Sequence, residues 1–486
     1  MGGMQGGMEL WAIVPELTLA GLVLVLLPLG PFLPKNRKYI TTWVALLGLV
    51  AAAVESARML FFATQPIFLD TYAVDQFAVY FKLFAVASTA FVLLATHSHF
   101  RGMPHEGEVP ALLMLTCLGI MGLAASQDLA LIALFIQLVT VSSYILIAIA
   151  KEQRLATEAA LKMFLFSATV GAVMIYGMVL LFGLTGTLRL PELATKLPAM
   201  PIVTVIAAFL FVLAGYGFEV TLVPFHMWAP DAYQGAPTPI AGFLSVGPKA
   251  AGLAVLVRTL VVAFPHNLGY WAEMFAILAA LTMTVGNVFA LRQTSIKRLL
   301  AYSSIGQVGY MLVGVAAAQR SSLALSGMLV YLAVYLFMNL GAFLAVDAIE
   351  RQLRSDDIGH LPGLGRRLPV TAAVLAICLL SLAGFPPFGG FIGKTMLFSA
   401  AIDAGWTWLA IIMLVNVAIS LFYYVRVLEP MYLRSSTGKL LRSEPSALRF
   451  VLVVLGIGTF ISGAFPQEWV LLASHASSLL AAVIPH

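Results

Sequence analysis

Four ionisable side chains stand in otherwise apolar stretches: Lys162 in AALKMFLF, Glu219 in GYGFEVTL, Lys249 in SVGPKAAG and Lys394 in GFIGKTML. Each changes charge with one proton, and burial disfavours the charged form of either type unless an opposite charge or a hydrogen bond restores it. A charge at bilayer depth costs roughly 3 kcal/mol on insertion scales. Residues kept at that cost, spaced one to a segment, make a row of proton carriers; they do not have the spacing of a metal cage.

Around these four lie groups that could bridge or tune them. Glu158 precedes Lys162 by one helical turn and shares its face. His226 and Asp231 fall in VPFHMWAPDAYQGAPTP (223–239), a proline-studded interruption after Glu219. Gln137 is the one strongly polar residue deep in DLALIALFIQLVTVSSYILIAIA, and Ser303, Ser304 and Gln307 line one side of IKRLLAYSSIGQVGY (296–310). Amides and hydroxyls of this kind can hold a file of waters, or simply bind helices together.

The elements that must position these residues are membrane helices. With 61% hydrophobic and 10% charged residues, the 486-residue chain is far too apolar for a water-soluble globule. Apolar stretches of about 20 residues, the length of a spanning helix, follow one another almost to the C-terminus. The expected spans are 10–33, 38–61, 72–97, 109–126, 128–150, 156–183, 201–222, 240–263, 269–291, 295–317, 321–350, 369–402, 406–431 and 446–466. These make an all-α polytopic membrane protein of about fourteen transmembrane helices.

With the amino terminus outside, sixteen Lys/Arg fall in inner loops, among them Lys35, Lys151, Arg298, Arg367, Lys439 and Arg442, against Arg189, Lys196 and Arg320 on the other side. The bias follows the positive-inside rule and places both termini outside. The net charge of +5 is therefore a topology signal, with no nucleic-acid footprint. Cys117 and Cys378 sit singly in apolar segments and read as packing, not as cluster or zinc ligands. The start, MGGMQGGMELWAIVPEL, lacks a basic n-region, so the first span is expected to be retained.

Glu55 and Arg58, and likewise Asp75 and Lys82, have helical spacings that would let each pair offset its own charge. The loop HSHFRGMPHEGE (97–108) reads as solvated. The segment 467–486 is amphipathic and is expected along the outer interface.

Proline removes a backbone donor and clashes with the preceding turn, so span seven should break near Val223. Span twelve should break at Pro386, Pro387, Gly389 and Gly390, directly before Lys394. Broken helices 7 and 12 suggest two five-helix repeats, inverted because five is odd. The expected organisation is scaffold helices over 1–108, a first repeat over 109–263, a second over 264–434, and a last helix with its tail over 435–486.

The stretches VPFHMWAPDAYQGAPTP, IKRLLAYSSIGQVGY and SLAGFPPFGGFIGK (381–394) resemble the antiporter-like membrane subunits of respiratory complex I, the proton-pumping NADH:quinone oxidoreductase. WAIVPEL and VDQF (74–77) are most similar to those of the subunit N type. The resemblance implies a proton-translocating subunit of the bacterial cytoplasmic membrane, binding no metal or cofactor itself. Quinone, NADH, flavin and iron–sulfur clusters would belong to other subunits, and the partners would be neighbouring membrane-arm subunits, antiporter-like ones included, and lipid.

Lys162, Lys249 and Lys394 match the family's lysines of helices six, eight and twelve, with Glu158 before the first, and His226 matches the histidine after the seventh-helix break. The departures are Gln137, where the family has a glutamate, Glu219, where it has a lysine, and Gln307, where a histidine is common. Lys162 or Lys249 is expected to supply Glu219 with a counter-charge. Two other readings stand beside this one: a subunit of a multi-subunit Na⁺/H⁺ antiporter or membrane-bound hydrogenase, and a non-pumping structural subunit.

Overall fold

A computed structural model describes residues 10–61, 65–265, 268–435, 441 and 444–483. The first nine residues, Lys439 and Arg442, which entered the leader and topology readings, lie outside these. Helices α1 (Val14–Phe32), α2 (Tyr39–Arg58), α3 (Gln76–His99), α4 (Val109–Ala125), α5 (Leu129–Ile147), α6 (Arg154–Thr185) and α7 (Ile202–Val220) follow one another through short connections. After the short helix Ala229–Gly235 come α8 (Thr238–Ala263), α9 (Leu268–Ala290), α10 (Ile296–Ala316) and α11 (Leu323–Leu353). The chain ends with α12 (Pro369–Ala383), α13 (Gly389–Asp403), α14 (Thr407–Leu433), α15 (Ser446–Ala464) and α16 (Pro466–Val483).

Among the described residues twelve helical segments are long and apolar enough to span a membrane, and Val109–Ala125 and Pro369–Ala383 are shorter apolar helices. Together they correspond to the fourteen expected spans, the twelfth being completed by α13. A small antiparallel hairpin pairs Gln65–Ile67 with Tyr72–Val74, and isolated bridges join Tyr72 to Ser126, Asp128 to Arg189 and Ser295 to Asp357.

Burial sorts the helices by role. The apolar window of α8 is entirely enclosed and those of α10 and α11 nearly so, whereas α1 and α2 are largely open. A helix apolar all round belongs either in a core or against lipid; here α8, α10 and α11 make the centre and the others surround it. Gly286 of α9 and Gly309 of α10 let the two backbones touch, since a Cβ at Gly309 would lie 2.3 Å from the Met283 nitrogen.

Both expected breaks are present, and their hydrogen bonds follow one pattern. At the end of α7, Thr221 N donates to Phe218 O and Leu222 N to Gly217 O; at the end of α12, Gly384 N donates to Ser381 O and Phe385 N to Leu380 O. The turning residue is left-handed in each, Thr221 at φ 61° and Gly384 at φ 87°. A second pattern also recurs. Leu129 N donates to Leu188 O and Leu190 N to Gln127 O, and in the other half Ile296 N donates to Asp356 O and Ile358 N to Thr294 O.

Several side-chain expectations change. Glu55 and Arg58 do pair, at 2.9 Å. Asp75 and Lys82 do not pair directly, because each binds a partner on another helix: Arg258 for Asp75 and Glu16 for Lys82. The 97–108 stretch is tied down, since His99 Nδ1 meets the buried Asp347 at 2.7 Å and Lys38 Nζ donates to Pro104 O at 2.5 Å.

Candidate functional site

Lys249 lies in α8 directly after Pro248, and that proline shapes its surroundings. Lacking an N–H, Pro248 leaves the carbonyl four residues earlier without its helical donor. Tyr233 supplies one, donating its hydroxyl to Leu244 O at 3.2 Å. The Tyr233 ring is thereby fixed 5.7 Å from Lys249 Nζ. Lys249 Nζ itself donates to Ser304 Oγ of α10 at 2.7 Å, and Ser304 in turn donates to Ala301 O at 2.7 Å. Lys249 is 1% exposed.

One turn further along α10, Gln307 is held at three points. Its Nε2 donates to Tyr424 Oη at 3.1 Å and to Leu382 O at 3.2 Å, and its Oε1 accepts a short bond from Tyr331. Tyr424 of α14 also meets Ser303 Oγ at 2.5 Å. Every one of these side chains is buried.

Leu382 O is also a ligand of Lys394. From the start of α13, Lys394 Nζ reaches back across the break and donates to Leu382 O at 2.7 Å and Ala383 O at 3.3 Å, with the Tyr310 ring 4.4 Å away. These are last-turn carbonyls of α12, freed by the break, at the end of a helix where the backbone dipole favours a cation. An aromatic face adds to that preference. The glycines here are required by close approach: a Cβ at Gly390 would lie 1.9 Å from Ser381 O. Lys249 and Lys394 thus bind adjoining positions of one polar seam along α10: Lys249 binds Ser304, and Lys394 shares the Leu382 carbonyl with Gln307, which Tyr424 ties to Ser303. Among the described residues no hydrogen bond bridges the step from Ser304 to Ser303 and Gln307.

Glu219 occupies the last turn of α7, 3% exposed. Its carboxyl is in contact with the Thr140 hydroxyl of α5, and its methylenes lie against Gly252 of α8, whose Cβ position is 3.0 Å from Glu219 Cβ. The expected counter-charge is not there. Among the described residues no cation lies within ion-pair distance of Glu219, since Lys249 turns to Ser304 and Lys162 to Glu158 and Asp231.

Lys162 is placed differently from the other lysines. It is half exposed on α6, 2.9 Å from Glu158 and 2.7 Å from Asp231. Asp231 also binds Arg298 of α10 at 2.6 Å. Burial works to raise the Asp231 carboxyl, but its bonds to Lys162 and Arg298 outweigh that and hold it below the usual carboxylate range. Gln137 points toward α6, its Nε2 3.0 Å from the Cβ position of Gly171. His226 stands in the break with Nδ1 buried and without a hydrogen-bond partner among the described residues.

The tyrosines were not singled out from sequence, although Tyr233, Tyr310, Tyr331 and Tyr424 do much of the connecting. A tyrosine in an apolar helix reads as packing; its hydroxyl becomes informative only when the partner helix is known. Among the described residues no group of three His, Cys, Asp or Glu is placed to hold a metal.

Fold and seam define a multi-pass membrane protein that keeps titratable groups hydrogen-bonded in its interior, at two interrupted helices. Residues 126–420 match the family described as NADH:quinone oxidoreductase/Mrp antiporter, TM, and the chain belongs to that family. It is 38% identical over 474 residues to NADH-quinone oxidoreductase subunit N of Trichlorobacter lovleyi, covering 96% of this chain and 97% of that one. It is 36% identical to F(420)H(2) dehydrogenase subunit N of Methanosarcina mazei, covering 97% and 99%. A chain of respiratory complex I from Thermus thermophilus superposes with a TM-score of 0.79 at 31% identity, over 95% of this chain and 100% of its own.

Proposed function

We propose that this chain is a proton-translocating membrane-arm subunit of a quinone oxidoreductase complex, driven by redox chemistry in other subunits. One observation carries the reading: two buried lysines, Lys249 and Lys394, meet adjoining polar positions of the enclosed helix α10, Lys249 at Ser304 and Lys394 at the Leu382 carbonyl that Gln307 also binds. The names of the full-length relatives support an oxidoreductase partner over an antiporter one. The paired hydrogen-bond patterns at the two breaks, and at Leu129 and Ile296, support two inverted repeats over 109–263 and 264–434. Helices over 1–108 and 435–486 flank them. The inner-loop excess of Lys/Arg supports a bacterial cytoplasmic membrane location with both termini outside.

Each residue has a distinct part. Lys394 holds a proton as an ammonium ion against two carbonyls and an aromatic ring. Lys249 holds one with a single hydroxyl acceptor, Ser304. Gln307 cannot accept a proton at ordinary pH and keeps Leu382 O in place for Lys394. Glu219 is neutral when loaded and anionic when empty, and a lysine is cationic when loaded; the Thr140 hydroxyl lies beside its carboxyl. Lys162, with Glu158 and Asp231, forms an inner-side charge cluster. Flavin, clusters, nicotinamide and quinone are assigned to partner subunits.

The test is the proton-to-electron ratio of the intact complex in vesicles. Glu219→Gln, and separately Lys249→Met with Lys394→Met, should lower the ratio while electron transfer persists at least in part. An undiminished ratio in the double variant would establish the structural-subunit reading instead. Uptake or release of Na⁺ in place of H⁺ would establish the antiporter reading.

A further inference from the structure

Away from the seam, a second set of buried ionisable groups lies at the ends of α1, α3 and α8 that face the same side as the amino terminus. Lys82 of α3 is wholly buried, and its Nζ meets Glu16 Oε1 at 2.8 Å. Tyr72 donates to the same oxygen at 2.7 Å, and its ring lies 5.3 Å from Lys82 Nζ. The other carboxylate oxygen, Glu16 Oε2, is buried with no hydrogen-bond partner among the described residues. Beside this group, Arg258 of α8 grips both oxygens of Asp75 at 2.7 and 2.8 Å and donates to Ala124 O. Next to Arg258, Thr259 Oγ1 meets Tyr216 Oη at 3.2 Å, and Tyr216 lies one helical turn from Glu219 on α7.

Stability alone does not account for this cluster. A buried ion pair is often no more stabilising than apolar residues of the same volume, and an unpartnered buried acceptor costs about 1–3 kcal/mol. A pair kept only for packing would use both oxygens. Here one meets both Lys82 and Tyr72, and the other has no hydrogen-bond partner among the described residues.

We propose that Glu16 is the outward proton-release group of the first half, with Oε2 as the atom that carries the proton, Lys82 as its fixed counter-charge and Tyr72 as the residue that positions it. This rests on the translocating function proposed above. A proton arriving from the Glu219–Tyr216–Thr259 side binds Oε2 and gives the neutral acid; its loss to the outer phase restores the carboxylate, and Lys82 stays an ammonium ion throughout. Asp75, pinned by Arg258, takes no proton and lines the route with a paired charge.

Glu16→Gln in the intact complex, reconstituted in vesicles, decides the matter. The expected result is a loss of protons released per electron, with quinone reduction continuing and assembled complex present. A merely structural role would lower the amount of complex without moving that ratio. If Glu16→Gln leaves no assembled complex, Tyr72→Phe is read in its place, since it keeps ring and ion pair and removes only the bond to Oε1. It should lower the ratio and shift its dependence on outer pH. A parental ratio in an assembled Glu16→Gln complex, or in Tyr72→Phe where the first variant does not assemble, overturns the proposal. If that happens while Lys249→Met with Lys394→Met still abolishes pumping, the release group alone is refuted; if the double variant also pumps normally, the translocating function is refuted with it.

Discussion

Ser304→Ala is the sharpest available perturbation of the seam, because it removes one oxygen and leaves every charge in place. Ser304 Oγ is the acceptor of Lys249 Nζ, at 2.7 Å in a site closed to solvent. A hydrogen bond to a charged group contributes about 1.5–3 kcal/mol, and the Tyr233 ring at 5.7 Å is too far to replace it fully. At about 1.4 kcal/mol per tenfold change, any step that passes a proton through Lys249 should slow by roughly 10- to 100-fold. The side chain lost is small, so the helix contacts of α10 survive. The assay is the initial rate of vesicle acidification at a fixed rate of quinone reduction. Ser326→Ala on α11, whose hydroxyl donates to Leu323 O of its own helix, serves as the control. Acidification at the parental rate in Ser304→Ala would show that Lys249 does not depend on α10, and the seam would no longer describe the path.

Two further outcomes follow from the same coordinates. Burial works to raise the Asp75 carboxyl, but its bonds to Arg258 prevail and hold it below the usual carboxylate range. A depressed acid contributes stability above the ordinary carboxylate pKa that is lost as pH falls through the folded value. Thermal stability should therefore fall in acid, and Asp75→Asn should lose roughly 3–5 kcal/mol at neutral pH and flatten that acid limb; an unchanged pH profile would refute the assignment. Gly390→Ala places a methyl 1.9 Å from Ser381 O, so the second break must shift. The expected readout is reduced assembly of the complex, and assembly at parental level with full pumping would show that the break is more compliant than its packing implies.

The helices and their interruptions were legible in the sequence because both depend on local chemistry. Pro224, Pro386 and Pro387 cannot continue a helix whatever surrounds them, and apolar length sets the spans. The choice of partners was not legible. Asp75 and Lys82 share a face of one helix, yet each finds a better-placed opposite charge on another, Arg258 far along the chain and Glu16 near its start. Lys162 reads as deep by its distance from the helix start, but the short helix after the break brings Asp231 beside it at a half-exposed surface. Glu219 lacks the counter-charge that its neighbours in sequence suggested because Lys249 is turned toward α10. Helical period says which side of a helix a residue is on; it does not say which helix it meets there.

The two breaks turn through the same backbone geometry with different residues. Gly384 adopts a left-handed conformation at no steric cost, whereas Thr221, β-branched and with its buried hydroxyl lacking a hydrogen-bond partner among the described residues, adopts it at φ 61°. For an ordinary L-residue that conformation costs on the order of 1–2 kcal/mol. The end of α7 is thus a cocked hinge and the end of α12 a relaxed one. If Glu219 and Lys394 carry protons as proposed, a push of equal size arriving along the membrane arm would move the carboxyl side of the subunit before the lysine side, and so give the proton steps an order.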